Sequence, residues 1–142
     1  MHKNNLILDT HTWLWFETGN KEKFSSAILS KIENGLENGQ VSVCAISMWE
    51  ISMLASKKRI NLHTPTLQWL KKSLETKGLS LIPLTPEITT ESADLPDFFH
   101  GDPADRIIIA SARLTNSILI SQDQEILAYG KKGYLKTLPL HP

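Results

Sequence analysis

With 142 residues, 41% of them hydrophobic and 21% charged, the chain has the size and balance of one ordinary soluble domain, a composition that fits neither a disordered chain nor a fibre. Fifteen basic residues offset fifteen acidic ones, so the overall basic surplus common among nucleic-acid binders is missing. The single cysteine, Cys44, excludes an internal disulfide and a cysteine-rich zinc site; inside the run Val41-Ser42-Val43-Cys44-Ala45 it reads as a small buried hydrophobe.

The first apolar run, Leu6-Ile7-Leu8, follows the polar residues Met1 to Asn5. It is too short for a signal-peptide core, and no later run reaches the roughly 18 apolar residues that cross a bilayer; the expectation is a soluble cytoplasmic protein. Asn5 to Asp9 reads as a strand ending on an acid, and Thr10 to Phe16 as a short turn or helix rich in aromatics. Between Phe24 and Asn38 the apolar positions Phe24, Ala27, Ile28, Ile32 and Leu36 have helical spacing, with Gly39 as the stop. Gln40 to Ala45 is a second strand, and Ser47 to Ser56 a helix. Thr64-Pro65 opens another helix through Trp69, Leu70 and Leu74, closed by Gly78. Leu79 to Leu84 is a third strand, Thr85-Pro86 starts a short helix to about Ala93, and Leu95 to Gly101 is loop. Pro103 to Thr115 is a helix apolar nearly all round, hence central and buried. A fourth strand at Ser117 to Ser121, a short helix at Asp123 to Tyr129 and a fifth strand at Lys136 to Leu140 complete the chain.

Strands that alternate with helices and are themselves continuously apolar predict an α/β fold with a mostly parallel sheet of four to five strands, covered on both faces. No repeat or linker divides the chain, so residues 1–142 are expected to form one domain.

In open α/β sheets ligands bind beyond the carboxyl ends of the strands, and acids fall there. Asp9 ends the first strand, Glu50 opens the helix after the second, Asp123 follows the fourth, and Asp105 opens the apolar helix. Each has a structural explanation. Ser47-Met48-Trp49-Glu50 fits a capping box; Asp102 before Pro103 looks like an N-cap; Asp123 could cap the next helix, and Asp9, with the weakest such explanation, could close a turn. Four carboxylates gathered at one edge would repel each other. A divalent cation offsets that repulsion, and oxygen-only ligands point to Mg²⁺ or Mn²⁺ rather than zinc. Such an ion can activate a water against a phosphodiester. Thr10, Ser47 and Ser121 are candidate donors orienting these carboxylates, and His11 a further candidate ligand.

These segments resemble the PIN domain, and within it the toxin subunits of VapBC-type toxin–antitoxin systems. The resemblance runs nearly end to end. It rests on Leu8-Asp9-Thr10-His11, Ile46-Ser47-Met48-Trp49-Glu50-Ile51, His100-Gly101-Asp102-Pro103-Ala104-Asp105-Arg106 with the apolar helix behind it, and Leu119-Ile120-Ser121-Gln122-Asp123. It implies a three-layer α/β/α sandwich and an Mg²⁺- or Mn²⁺-dependent endoribonuclease acting on single-stranded RNA. Asp9, Glu50, Asp105 and Asp123 would be its metal-binding acids, with Asp102 a supporting acid or only a helix cap. Serine stands at 121 where the family often has threonine, and keeps the hydroxyl. The resemblance also implies a cognate antitoxin and a homodimer.

Other classes fit less well. A phospho-acceptor signalling domain needs paired acids after the first strand and an acceptor after the third, but the third runs into Pro83-Leu84-Thr85-Pro86. An acid phosphohydrolase needs a second Asp shortly after Asp9. A PIN fold kept as a silent RNA- or protein-binding module should have lost acids, and this chain keeps all four. Lys57-Lys58-Arg59, Lys71-Lys72 and Lys131-Lys132 are candidate basic patches or plain solvated surface.

Overall fold

The computed structural model of the protein describes residues 5–141. Strand β1 (Leu6–Leu8) leads into helix α1 (Thr10–Glu17), a 3-10 turn (Lys21–Lys23) and α2 (Ser26–Glu37). Strand β2 (Val41–Cys44) runs directly into α3 (Ala45–Ser56), followed by α4 (Thr66–Leu74), β3 (Leu79–Ile82), α5 (Pro86–Ala93) and α6 (Pro103–Thr115). Strand β4 (Ile118–Ile120), α7 (Gln124–Lys131) and β5 (Lys136–Leu138) close the order. The strands form one five-stranded sheet in the order β3-β2-β1-β4-β5. Every pairing is parallel, with Leu8 of β1 opposite Val43 of β2 on one side and Ile120 of β4 on the other.

Side chains alternate across a strand, and this alternation divides the interior into two cores. Leu6, Leu8, Val41, Val43 and Ile120 face helices α1 to α4, where Trp13, Ile28, Ile32, Ile51 and Trp69 complete the packing. Ile7, Cys44 and Leu119 face the other way, onto Ile88 of α5, Ile108, Ile109 and Ala112 of α6, and Ile126 of α7. The result is the expected α/β/α sandwich, with β1 at its centre. Burial raises the Cys44 thiol to about 11, so the residue is the inert hydrophobe that its neighbours imply. Among the described residues no helix is long and apolar enough to cross a membrane.

Local chemistry sets the boundaries. The Ser25 hydroxyl accepts the Ile28 N–H at 3.2 Å and caps α2. Gly78, just before β3, has φ +88°, and a Cβ there would lie 1.8 Å from the Leu36 carbonyl oxygen, so no other residue fits. Helix α6 ends on Asn116 in the left-handed region at φ +53°, where asparagine is among the better tolerated residues.

The structure corrects several expectations. The 3-10 turn at Lys21–Lys23 was not foreseen. Helix α3 begins at Ala45 with Cys44 as its N-cap position and no side-chain cap. Ser47 therefore lies inside the first turn, and the Ser47–Glu50 capping box does not exist. Edge strand β3 is not covered on both faces, since Ser80 and Leu81 are exposed. Leu114, near the end of the apolar helix, is 49% exposed, whereas Ile108 to Ala112 are buried all round.

Candidate active site

The chain leaves β1 toward β2 and β3, then crosses back to β4 on the opposite side. The strand order thus reverses between β1 and β4, and at such a switch point the flanking loops part to leave a crevice beyond the strand ends. Asp9 and Ser121 are the first residues past those two ends. The Asp9 N–H donates to the Ile120 carbonyl at 3.2 Å, so the strands stay paired up to the edge of the crevice. The Ser121 hydroxyl donates to Asp9 Oδ2, and the Thr12 N–H donates to Oδ1 at 3.0 Å. Asp9 is therefore the N-cap of α1, a stronger structural role than its sequence context suggested. Burial raises its pKa, and the hydrogen bonds from Ser121 and Thr12 act against that.

Helix α3 brings Glu50 to the same crevice. Thr10, the first residue of α1, is hydrogen-bonded through its hydroxyl to Ser47 Oγ at 2.9 Å and donates to Glu50 Oε1. Ser47 and Thr10 are both buried. The pair ties the start of α1 to the first two turns of α3 and orients the Glu50 carboxylate. Its pKa is also raised, by burial first, with the Thr10 bond opposing and the Asp102 and Asp9 charges adding.

The remaining acids arrive from the other face of the sheet. Asp102 caps α6 by accepting the Asp105 N–H at 2.8 Å, as its place before Pro103 predicts. Asp123 caps α7, its Oδ1 accepting from the N–H groups of Glu125 (2.9 Å) and Ile126 (3.1 Å). The Ser121 hydroxyl also receives the Asp123 N–H at 3.0 Å, which links Asp9 to Asp123 through one side chain. Asp105 caps nothing. Its pKa is pushed up to about 7, by burial first and then by the charges of Asp102, Asp123, Glu50 and Asp9.

All five acids line one cleft of about 410 Å³ together with Thr10, His11, Trp15 and Gln122. No lysine or arginine is among these lining residues, so the acids repel one another without an internal counter-charge. The donor set is almost wholly oxygen, which suits a hard divalent cation. Among the described residues, however, no three His, Cys, Asp or Glu side chains are arranged to hold one ion by themselves. Water or a phosphate would have to complete its coordination. Such sharing is ordinary for Mg²⁺, which keeps several waters and takes one or two carboxylates with substrate phosphates.

Sequence reasoning missed two lining residues. Gln122 lies between Ser121 and Asp123, and its Oε1 accepts the Leu140 N–H at 3.0 Å, so it also ties the C-terminal segment to the site. Trp15 stands one helical turn after His11, their ring centroids 5.5 Å apart; that i, i+4 spacing was the available signal. The basic runs Lys57-Lys58-Arg59, Lys71-Lys72 and Lys131-Lys132 are all exposed and none lines the cleft.

The model of the PIN domain family matches residues 6–132. Over 124 residues the chain is 32% identical to Ribonuclease VapC22 of Mycobacterium tuberculosis, which spans 87% of this chain and 91% of that protein. The fold is similar to a chain in the crystal structure of VapBC2 from Rickettsia felis bound to a promoter DNA fragment (TM-score 0.69, 15% identity, covering 94% of this chain and 97% of that one). It is also similar to a chain of DNA-bound VapBC from Salmonella typhimurium (TM-score 0.67, 13% identity, covering 96% and 98%). At these identities the structural likeness bears on the fold alone.

Proposed function

The chain belongs to the PIN-domain family, and on that premise we propose that it is a divalent-metal-dependent endoribonuclease of single-stranded RNA, the toxin of a VapBC-type pair. The observation that carries this reading is the meeting of five carboxylates in one cleft at the β1/β4 switch point, with no lysine or arginine lining it. Mutual repulsion among them is a cost that a cation or a proton would relieve. The 32% identity to a named ribonuclease over most of the chain supports the choice of substrate class.

Asp9, Glu50, Asp105 and Asp123 would hold Mg²⁺ or Mn²⁺. When bound, such an ion neutralises charge on the phosphate and makes water nucleophilic at neutral pH. The protein's own contribution is orientation. Ser121 and the Thr12 N–H fix both oxygens of Asp9, and Thr10 fixes Glu50, so these two carboxylates need little rearrangement. In the metal-free protein, burial and the neighbouring carboxylates push Asp105 up to about 7, so it would give up its proton when a cation binds; its role is to orient the ion or the attacking water. Asp102 is a cap that adds charge at the rim. The 1–142 chain would act as one nuclease domain and as a homodimer, silenced by a cognate antitoxin.

The test is cleavage of a labelled single-stranded oligoribonucleotide by the purified protein, with Mg²⁺, with Mn²⁺ and with chelator, beside Asp9→Asn. Cleavage that needs the metal and is lost in the variant is the expected result. Equal cleavage by the variant, or none by the wild type with either metal, overturns the reading. A silent binding module is disfavoured by the presence of all the acids in one cleft.

A further inference from the structure

The loop between α5 and α6 carries a feature that packing does not explain. Asp97 and Phe98 both sit at positive φ, +58° and +44°, which is rare for any side chain and most unusual for a bulky one. Phe98 is 85% exposed. Its ring lies nearly parallel to that of exposed His100, with 13° between planes and centroids 6.4 Å apart.

This loop is built rather than slack. Phe99, between the two exposed rings, is buried against Tyr129, and a Cβ on Gly101 would fall 2.0 Å from the Phe99 ring. The Tyr129 hydroxyl donates to the Pro96 carbonyl at 2.6 Å. Arg106 of α6 donates to the carbonyls of Phe99 and Ser92, and Lys132 pairs with Asp97 at 3.3 Å. Backbone strain of this kind persists only where surrounding structure enforces it, and it gathers at functional sites.

The pair lies on the loop that leads directly into Asp102 and the start of α6. His100 is two residues from Asp102, at most about 7 Å of chain, and Asp102 lines the cleft. Across the cleft, from the other face of the sheet, His11 and Trp15 also line it, with Lys23 Nζ 4.8 Å from the Trp15 ring centre. Because no lysine or arginine lines the cleft, affinity for a nucleic acid has to come largely from its bases or from the rim. Unpaired bases stack on aromatic and histidine rings; paired ones do not expose their faces.

We propose that Phe98 and His100 form a stacking platform for an unpaired base next to the bond that is cut, with Trp15 and His11 receiving a second base on the opposite rim. The platform rests on the nuclease reading and adds to it a structural reason for preferring single strands. Loss of a stacked base contact corresponds to about a tenfold or larger loss of affinity. Phe98→Ala should therefore raise KM on a single-stranded oligoribonucleotide about tenfold and leave kcat within a few-fold, with Phe98→Tyr restoring KM. The exposed ring makes no core contact, so the thermal melt of Phe98→Ala should match the wild type.

A set of oligoribonucleotides with one abasic nucleotide at each position provides the second arm. Wild type should lose affinity at a defined position, and Phe98→Ala should be insensitive there. Unchanged KM in Phe98→Ala, or an abasic profile identical to wild type, overturns the platform while leaving the nuclease reading intact. Normal RNA kinetics combined with lost affinity for a purified protein partner also overturns it and makes the loop a protein-docking surface. If the wild type cleaves no RNA with either metal, the nuclease reading falls and the platform with it.

Discussion

The two halves of the acid cleft are built differently. On the side of α1 and α3, each carboxylate has dedicated donors: Asp9 accepts from Ser121 and the Thr12 N–H, and Glu50 accepts from Thr10, itself held by Ser47. On the side of α6 and α7, Asp102 and Asp123 use their oxygens to cap helices, and Asp105 is surrounded by like charges that push it up to about 7. One half is preorganised mainly by side-chain hydroxyls. In the other, Asp102 and Asp123 are held by helix N–H groups, and Asp105 is the acid left among like charges, which is where a cation would have the most to gain. The contrast explains how a cleft can hold five acids without collapsing or unfolding the edge of the sheet. Hydrogen bonds to the ionised form oppose part of the burial cost at the first two acids, and helix N-termini favour the charge on the caps.

The strongest way to break the comparison is to remove the anchored acid. Asp9→Asn should lower cleavage by on the order of a thousandfold, the equivalent of losing several kcal/mol of transition-state stabilisation, in single-turnover assays with Mg²⁺. Removing the donor rather than the acid should cost less. Thr10→Val should reduce activity by about 10- to 100-fold, the usual range for groups that orient ligands, and titration with Mn²⁺ should show the loss in metal affinity.

The half on α6 and α7 predicts a pH effect in the metal-free protein. Asp105 has a folded-state pKa of about 7 against an ordinary 3.8. Between those values the folded state binds a proton that the unfolded chain has released, so stability falls as pH rises from about 4 to about 7. Asp9 and Glu50 are raised as well and act in the same direction. The chelated protein should melt several degrees lower at pH 7.5 than at pH 5, Asp105→Asn should flatten that dependence, and added Mg²⁺ should reverse it. A wild-type melting temperature that rises over the same pH range would refute the assignment.

The smallest effect separates charge from capping at Asp102. Asparagine caps as well as aspartate, whereas alanine costs about 1 kcal/mol. Asp102→Asn should therefore keep the thermal stability and reduce cleavage only a few-fold, while Asp102→Ala should lose both. A large loss of activity in Asp102→Asn would move this acid from the rim into the centre of the site.

Much of the site was legible because its acids end strands or open helices, positions that sequence pattern marks well. The errors came where two local signals look alike. Ser47-Met48-Trp49-Glu50 has the spacing of a capping box, yet β2 runs into α3 without a linker, so the helix starts two residues before Ser47, which leaves Ser47 to hold Thr10 and Glu50 to face the cleft. Asp9 showed no cap pattern because an acid directly after a strand leaves the helix start unmarked; the Thr12 N–H supplies that reading only once α1 is seen as a full helix. Trp15 and Gln122 are not acids and stood out only when the cleft had walls.

The acids themselves, the alternation of strand and helix, and the inert cysteine were determined by the sequence alone, because periodicity, turn residues and caps act over a few neighbours. Tertiary structure decided the strand order, and with it the switch point between β1 and β4. It also decided the unequal halves of the cleft, since Ser121 reaches Asp9 across 112 positions and Thr10 reaches Glu50 across 40. Those meetings depend on which faces of the sheet bury which helices, a property of the whole packed core that no local stretch encodes.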